Sequence, residues 1–249
     1  MGLEQRLERL ESEMARMGAE IDRCKAVTAC ANLIGRYINF HSASMEEESY
    51  ELFAKQTPGT LMCIDGWGVY LENEGVRRFF CEWLKFAETE SEAGMAGRLY
   101  RHDISTPLIV VAKDGQTAKG IWSSLGAETC PGTNGRKFDS VWCLGTYEGA
   151  FVLEDGEWRI WKLMFRDTLM TPFDGEGWTV TPVHPAYADH GEHDDLMLPP
   201  AHLLPDIMTR EKHMRPLSLT EASCSMHDCI PYPPQPYDTW DDSLFTKFE

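Results

Sequence analysis

The chain has 249 residues, 43% of them hydrophobic, enough for the core of one large domain and too apolar for wholesale disorder. Its formal net charge of −17 argues against nucleic acid or an anionic membrane surface as a partner. No apolar run reaches the length of a membrane span, the charged start MGLEQRLERLESEM does not read as a secretory signal, and none of the eight cysteines forms a C-x-x-C pair, so reduced thiols in a cytoplasmic protein are expected.

In chain order, Leu3, Leu7, Leu10, Met14, Met17 and Ile21 alternate steps of four and three, a heptad seam on a helix. Such a stripe buries itself either on its own domain or, given its charged flanks, against another subunit. From Lys25 to Ala43 no acid occurs, and the segment reads as a buried helix. SMEEESYELFA reads as a short helix with Ser44 as N-cap, LMCIDGWGVY as a hairpin around Asp65-Gly66, and NEGVRRFFCEWLKFAE as a third helix. Four strands follow, near 99–112, 117–125, 138–153 and 158–166, with KDGQ and EDGE as Asp-Gly turns and Gly145 and Gly149 marking a bend.

Past Thr171 the composition shifts, with eleven of the 14 prolines and 14 acidic against four basic residues. This stretch still carries Trp178, Tyr187, Leu196, Leu198, Leu203, Leu204, Ile207, Tyr232, Tyr237 and Trp240, more large apolar residues than a disordered tail. Three parts are therefore expected: a helical extension at 1–24, an α+β domain at 25–171, and an acidic Pro-rich arm at 172–249 that packs on the domain or on a neighbouring subunit. Helices first, then antiparallel strands, predict a strongly bent sheet wrapped around a long helix, a cone with a cavity.

The order RYINFH, IDGWGVY, EGVRRFF, RHDISTPLIVVAKDGQTAKGIW and YEGAFVLEDGEWRIWKL resembles a SnoaL-like domain of the nuclear-transport-factor-2-like superfamily, over about Ala26 to Arg166. The resemblance implies an α+β cone over an apolar pocket. It also implies kinship with ketosteroid isomerases, scytalone dehydratase, polyketide cyclases and a lyase of lignin-derived diarylpropanes, none of which needs a metal or organic cofactor. Because this fold carries many functions, activity must come from the residues. In the dehydratases a tyrosine and an aspartate on the first helix face a histidine that opens the following strand. Tyr37 and His102 stand at the tyrosine and histidine positions. The aspartate is missing, and His41, one turn after Tyr37, is the nearest ionisable residue.

His102 is thus the expected general base, His41 the proton relay and Tyr37 the donor to a developing oxyanion. Each also reads as an ordinary core residue, since a histidine on an apolar face is usually structural and a buried tyrosine only needs a partner for its hydroxyl. Trp67, Tyr70, Trp122, Trp142 and Tyr147 are candidates to line a pocket for a flat apolar substrate, and Arg166 to anchor a carboxylate or phenolate, although arginines more often pair with acids. HGEHDD at 190–195 reads as a solvated loop rather than a metal site, so neither metal nor cofactor is expected. The reading is a cofactor-independent lyase, dehydratase or isomerase acting on a bulky apolar or aromatic small molecule such as a lignin-derived diarylpropane, a steroid or a polyketide. A non-catalytic ligand-binding or oligomerisation module of the same fold is the alternative. A homo-oligomer is expected, a trimer ahead of a dimer because the related dehydratases are trimers.

Overall fold

The computed structural model describes residues 2–64, 67–86, 97–131, 138–173, 200–208 and 231–246. The heptad segment and the acid-free segment form one helix, α1 (Leu3–Ser42), rather than two. At 1.5 Å per residue it is about 60 Å long. Its first buried residue is Ala26, followed by Cys30, Leu33, Ile34, Tyr37 and Ile38, one stripe at helical spacing. Before Ala26, exposed i,i+4 pairs such as Arg9–Glu13 and Arg16–Glu20 decorate the helix.

The short α2 (Glu46–Tyr50) is capped by Met45, not Ser44. Ser44 lies in the left-handed region at φ 54°, where the chain reverses out of α1. The third helix starts as α3 (Glu72–Arg77) and widens into a π-helical turn over Arg78–Leu84. Four long strands follow: β3 (Tyr100–Val111), β4 (Thr117–Pro131), β5 (Phe138–Glu154) and β6 (Glu157–Pro172). β4 and β6 run well beyond the expected ends. The hairpin β1 (Leu61–Ile64) and β2 (Gly68–Leu71) is present, while Asp65-Gly66 lies outside the described residues.

With β7 (Ile207–Met208) from the C-terminal stretch, the sheet order is β3-β4-β5-β6-β1-β2-β7, antiparallel except where β1 runs parallel to β6. Asp155 and Gly156 both have positive φ, as the two-residue turn between β5 and β6 requires. The helix α1 lies against β3, β4 and β6, so the sheet curves around it. Two register shifts between β5 and β6, at Leu144/Gly145 and Ala150/Phe151, accompany this curvature. Gly145 sits at the first, where a Cβ would lie 2.5 Å from the Phe165 ring. A third bulge interrupts β3: Thr106 and Pro107 face the single residue Trp122, and Thr106 has φ 49°.

The core between the helices and the inner face of the sheet is built on Tyr37, Phe53, Phe80, Trp122, Tyr147 and Phe151. A second cluster, on the outer face, gathers Leu61, Val69, Trp161, Met164 and Phe245. The described parts of the C-terminal stretch reach both regions. Ile207–Met208 forms β7 on β2, Asp206 pairs with Arg78 at 2.6 Å, and Tyr70 donates to the Leu203 carbonyl. Farther on, the Lys113 and Asp114 amides donate to the Tyr237 and Asp238 carbonyls, and Trp240 packs on Trp161. Near the end of this stretch, Glu148 takes an ion pair from Lys119 at 3.0 Å and a hydrogen bond from the Thr246 hydroxyl. Lys119 also donates to the Leu244 carbonyl and Arg166 to Thr246. Trp178, Tyr187, Leu196, Leu198 and the 190–195 cluster lie outside the described residues. No described helix is long and apolar enough to cross a membrane.

Candidate functional site

Helix α1 delivers Tyr37 and His41 on one face, and β3 delivers His102 against them. The His41 and His102 rings stack with centroids 5.7 Å apart, and the Tyr37 ring also stacks on His41 at 5.7 Å. Tyr147 from β5 stands edge-on to both Tyr37 and His102 and is hydrogen-bonded to Tyr37. Phe165, on β6, closes the group against His102 at 5.4 Å. His102 is only 5% exposed.

The carboxylates come from elsewhere. His102 Nε2 lies 3.0 Å from Glu128 Oε1, and His41 Nδ1 lies 3.0 Å from Glu46 Oε1; both glutamates are buried. Each histidine therefore has an acid to orient it and to balance a proton on its ring. In place of the aspartate expected on α1, the acids beside the two histidines are glutamates on β4 and α2, neither of which the sequence singles out. The reason is register. Extending the Val111–Ala118 pairing straight back along β3 would put His102 opposite Ala127 and Glu128 on the other face. The bulge at Thr106–Pro107 shifts the pairing by one, so His102 faces Gly126 and Glu128 stands on the same face, one diagonal away. The one-residue shift also turns Tyr100, His102 and Ile104 inward before the bulge, and Ile109 and Val111 inward after it. A Pro inside an otherwise regular strand is the signal that marks the bulge in the sequence.

Gly126 makes room for the imidazole. A Cβ there would lie 2.8 Å from the Arg101 carbonyl oxygen, 2.9 Å from that of Cys143 and 3.2 Å from His102 Nδ1. His102 Nδ1 is buried without a hydrogen-bond partner. In the neutral ring, an Nε2–H that donates to the Glu128 carboxylate leaves the lone pair on Nδ1. Burial, and then the charge of Glu46, push the Tyr37 phenol well above the usual tyrosine range, against the lowering effect of its bond with Tyr147. Burial also holds Tyr147 far above it, so both phenols stay protonated; with the Tyr147 hydroxyl spent on Tyr37, the Tyr37 hydroxyl is the one left to donate elsewhere.

His102, Glu128 and Cys143 each offer a donor atom within 4.8 Å of the others, on three adjacent strands. Nitrogen, carboxylate and thiolate together are a set that suits zinc.

The remaining candidates divide. Trp122 lies on the inner face, its ring 5.9 Å from that of Phe151. Trp67 and Tyr70 belong to a second aromatic group with Phe79 and Trp83, tied together by a Trp67 Nε1 to Tyr70 hydroxyl bond of 3.1 Å. Trp142 and Arg166 are on the outer face, away from the histidines. Trp142 packs on Phe173, and Arg166 donates to Thr246. The alternation of β5 and β6 sends these two outward while Tyr147 and Phe165 point in.

No curated protein matches this chain. Among solved structures, the hexachlorocyclohexane dehydrochlorinase LinA-type3 of Novosphingobium barchaimii LL02 is 17% identical, with a TM-score of 0.49 over 63% of this chain and 95% of its own. A putative scytalone dehydratase of Novosphingobium aromaticivorans is 15% identical, with a TM-score of 0.48 over 63% and 93%. An NTF2-like protein with a cystatin-like fold from the same species is 18% identical, with a TM-score of 0.43 over 68% and 92%. Residues 22–164, more than half of the chain, match the SnoaL-like domain, and the chain belongs to that family.

Proposed function

We propose that the protein is a cofactor-independent lyase, dehydratase or isomerase that works by general acid/base chemistry on a bulky apolar or aromatic small molecule. The observation that carries this is the buried His102–Glu128 pair stacked on His41 beside Tyr37 and Tyr147. Glu128 fixes the imidazole through Nε2, and Nδ1 removes the substrate proton. The imidazolium that forms is stabilised by Glu128, as a carboxylate steadies a catalytic histidine elsewhere. His41, backed by Glu46, returns the proton to the leaving group or to carbon. Tyr37, its oxygen held by the Tyr147 hydroxyl, donates to negative charge that develops on the substrate. The dehydrochlorinase and dehydratase names of the similar structures are consistent with such chemistry.

The close ring packing around Tyr37 favours a second reading. Tyr37, Phe80 and Tyr147 are each at most 2% exposed. In that reading the group is a polar core of a ligand-binding module.

One set of variants separates the two. His102→Asn cannot take a proton in the neutral range, so turnover per folded molecule should fall about 100-fold or more, beyond the melting loss that follows from weakening the buried contact with Glu128. The substrate would first be found by a thermal-shift screen of diarylpropanes, steroids and polyketide aromatics. A stable, fully active His102→Asn protein ends the catalytic assignment. A chelator should leave turnover unchanged. Activity lost on chelation and restored by zinc would reassign His102, Glu128 and Cys143 as a metal centre.

A further inference from the structure

The seam residues of α1 stand open to solvent: Leu3 is 83% exposed, Met14 72% and Leu10 57%. A regular apolar stripe about 27 Å long, from Leu3 to Ile21, is unusual on a soluble surface. We propose that it is covered by the same stripe of a second copy, with the helices parallel and in register as a coiled coil.

The charges beside the seam choose the occupant and its direction. In heptad terms Leu7, Met14 and Ile21 hold position a, and Leu3, Leu10, Met17 and Cys24 hold position d. The flanking g positions are Arg6, Glu13 and Glu20, and the e positions are Glu4, Glu11, Gly18 and Lys25. A parallel in-register pair sets each g residue beside the e residue five places on in the partner. Arg6 then meets Glu11 and Glu20 meets Lys25, both of opposite charge, while Glu13 meets Gly18. Antiparallel registers that keep the seam in contact oppose g with g and e with e. One sets Glu11 and Glu13 each against its own copy, and the next sets Glu13 against Glu20. Every parallel contact is attractive or neutral, whereas each of these antiparallel ones carries a repulsion. Glu20 and Lys25 now pair with Arg16 and Asp22 on their own helix, but those pairs are exposed and weak enough to exchange. Position g therefore selects another copy of this chain, whose own sequence supplies the complement.

The test uses the full chain. Light scattering at tens of micromolar should give twice or three times the monomer mass. Leu10→Glu with Met14→Glu should reduce it to the monomer mass with the domain's melting unchanged, because both side chains are far from the core. Met17→Cys in a Cys24→Ser background should form a covalent dimer under mild oxidation, since position d meets itself only when the helices are parallel and in register. The Cys24→Ser parent should show no such link. A monomeric parent, an assembly that survives the two glutamates, or an assembly whose Met17→Cys form does not cross-link would each overturn the proposal.

Discussion

Glu148 offers a direct measure of how the C-terminal stretch is held to the sheet. Its side chain is 2% exposed and its partner Lys119 is 12% exposed, with 3.0 Å between them. Glu148→Ala leaves the ammonium with the Leu244 carbonyl as its remaining partner among the described residues and takes the acceptor from the Thr246 hydroxyl. Breaking a buried pair from one side costs about 3–5 kcal/mol, because one charge remains buried and uncompensated. In a chain of this size that is a drop of about 10 °C in melting temperature. Lys119→Met should cost a similar amount, since it strands the carboxylate. The double variant should cost less than the sum, with a coupling of about 2 kcal/mol or more. Chemical unfolding of the four proteins gives the cycle. Single-variant losses below about 1 kcal/mol, or strict additivity, would refute the reasoning and place the pair on the scale of surface ion pairs.

Gly126→Ala should lower both melting temperature and turnover, because its methyl group meets two carbonyl oxygens and the His102 ring; an unchanged protein on both measures would contradict this. Tyr37→Phe should keep melting within about 1 kcal/mol while lowering turnover, as expected for the loss of one donor to developing charge. Glu154 is opposed by burial, yet hydrogen bonds from the Lys55, Gln56 and Thr57 amides and the Thr57 hydroxyl hold its carboxyl below the usual range. With its folded pKa below the unfolded one, the stability it adds is full above the unfolded pKa and is lost as pH falls through the folded one. Melting of Glu154→Gln should therefore run closer to that of the parent at about pH 3 than at about pH 6; a constant gap across that window would dismiss the effect.

The inward helix and the strand pairs are legible in the sequence because they rest on local signals. These are an acid-free stretch at helical spacing and two Asp-Gly turns with apolar runs on either side. Tyr37, His41 and His102 are legible for the same reason, since helix periodicity and strand position place them. Their acids are not. Glu46 is one of three consecutive glutamates, and only the reversal at Ser44 decides which of them turns back onto His41. Glu128 depends on a register that a single bulge shifts. Arg166 and Trp142 show the converse limit: each lies on a strand beside the site, but period two sends them to the far face. The continuity of α1 also escapes a reading by composition, because a helix does not end where its environment changes from solvent to core.

The bulge at Thr106–Pro107 has a further consequence for the rim of the sheet. Among the described residues β3 is an end strand of the sheet, bonded to β4. A long straight strand in that position is a template for adding a foreign strand and so for aggregation. Pro107 has no N–H to offer, Thr106 turns the backbone away from extended geometry, and Arg101 and Asp103 place a charged pair on the exposed side. Thr106–Pro107 is therefore expected to disfavour self-association along this edge, and replacing Pro107 with a β-branched residue should raise fibril or precipitate formation on heating before it alters the fold.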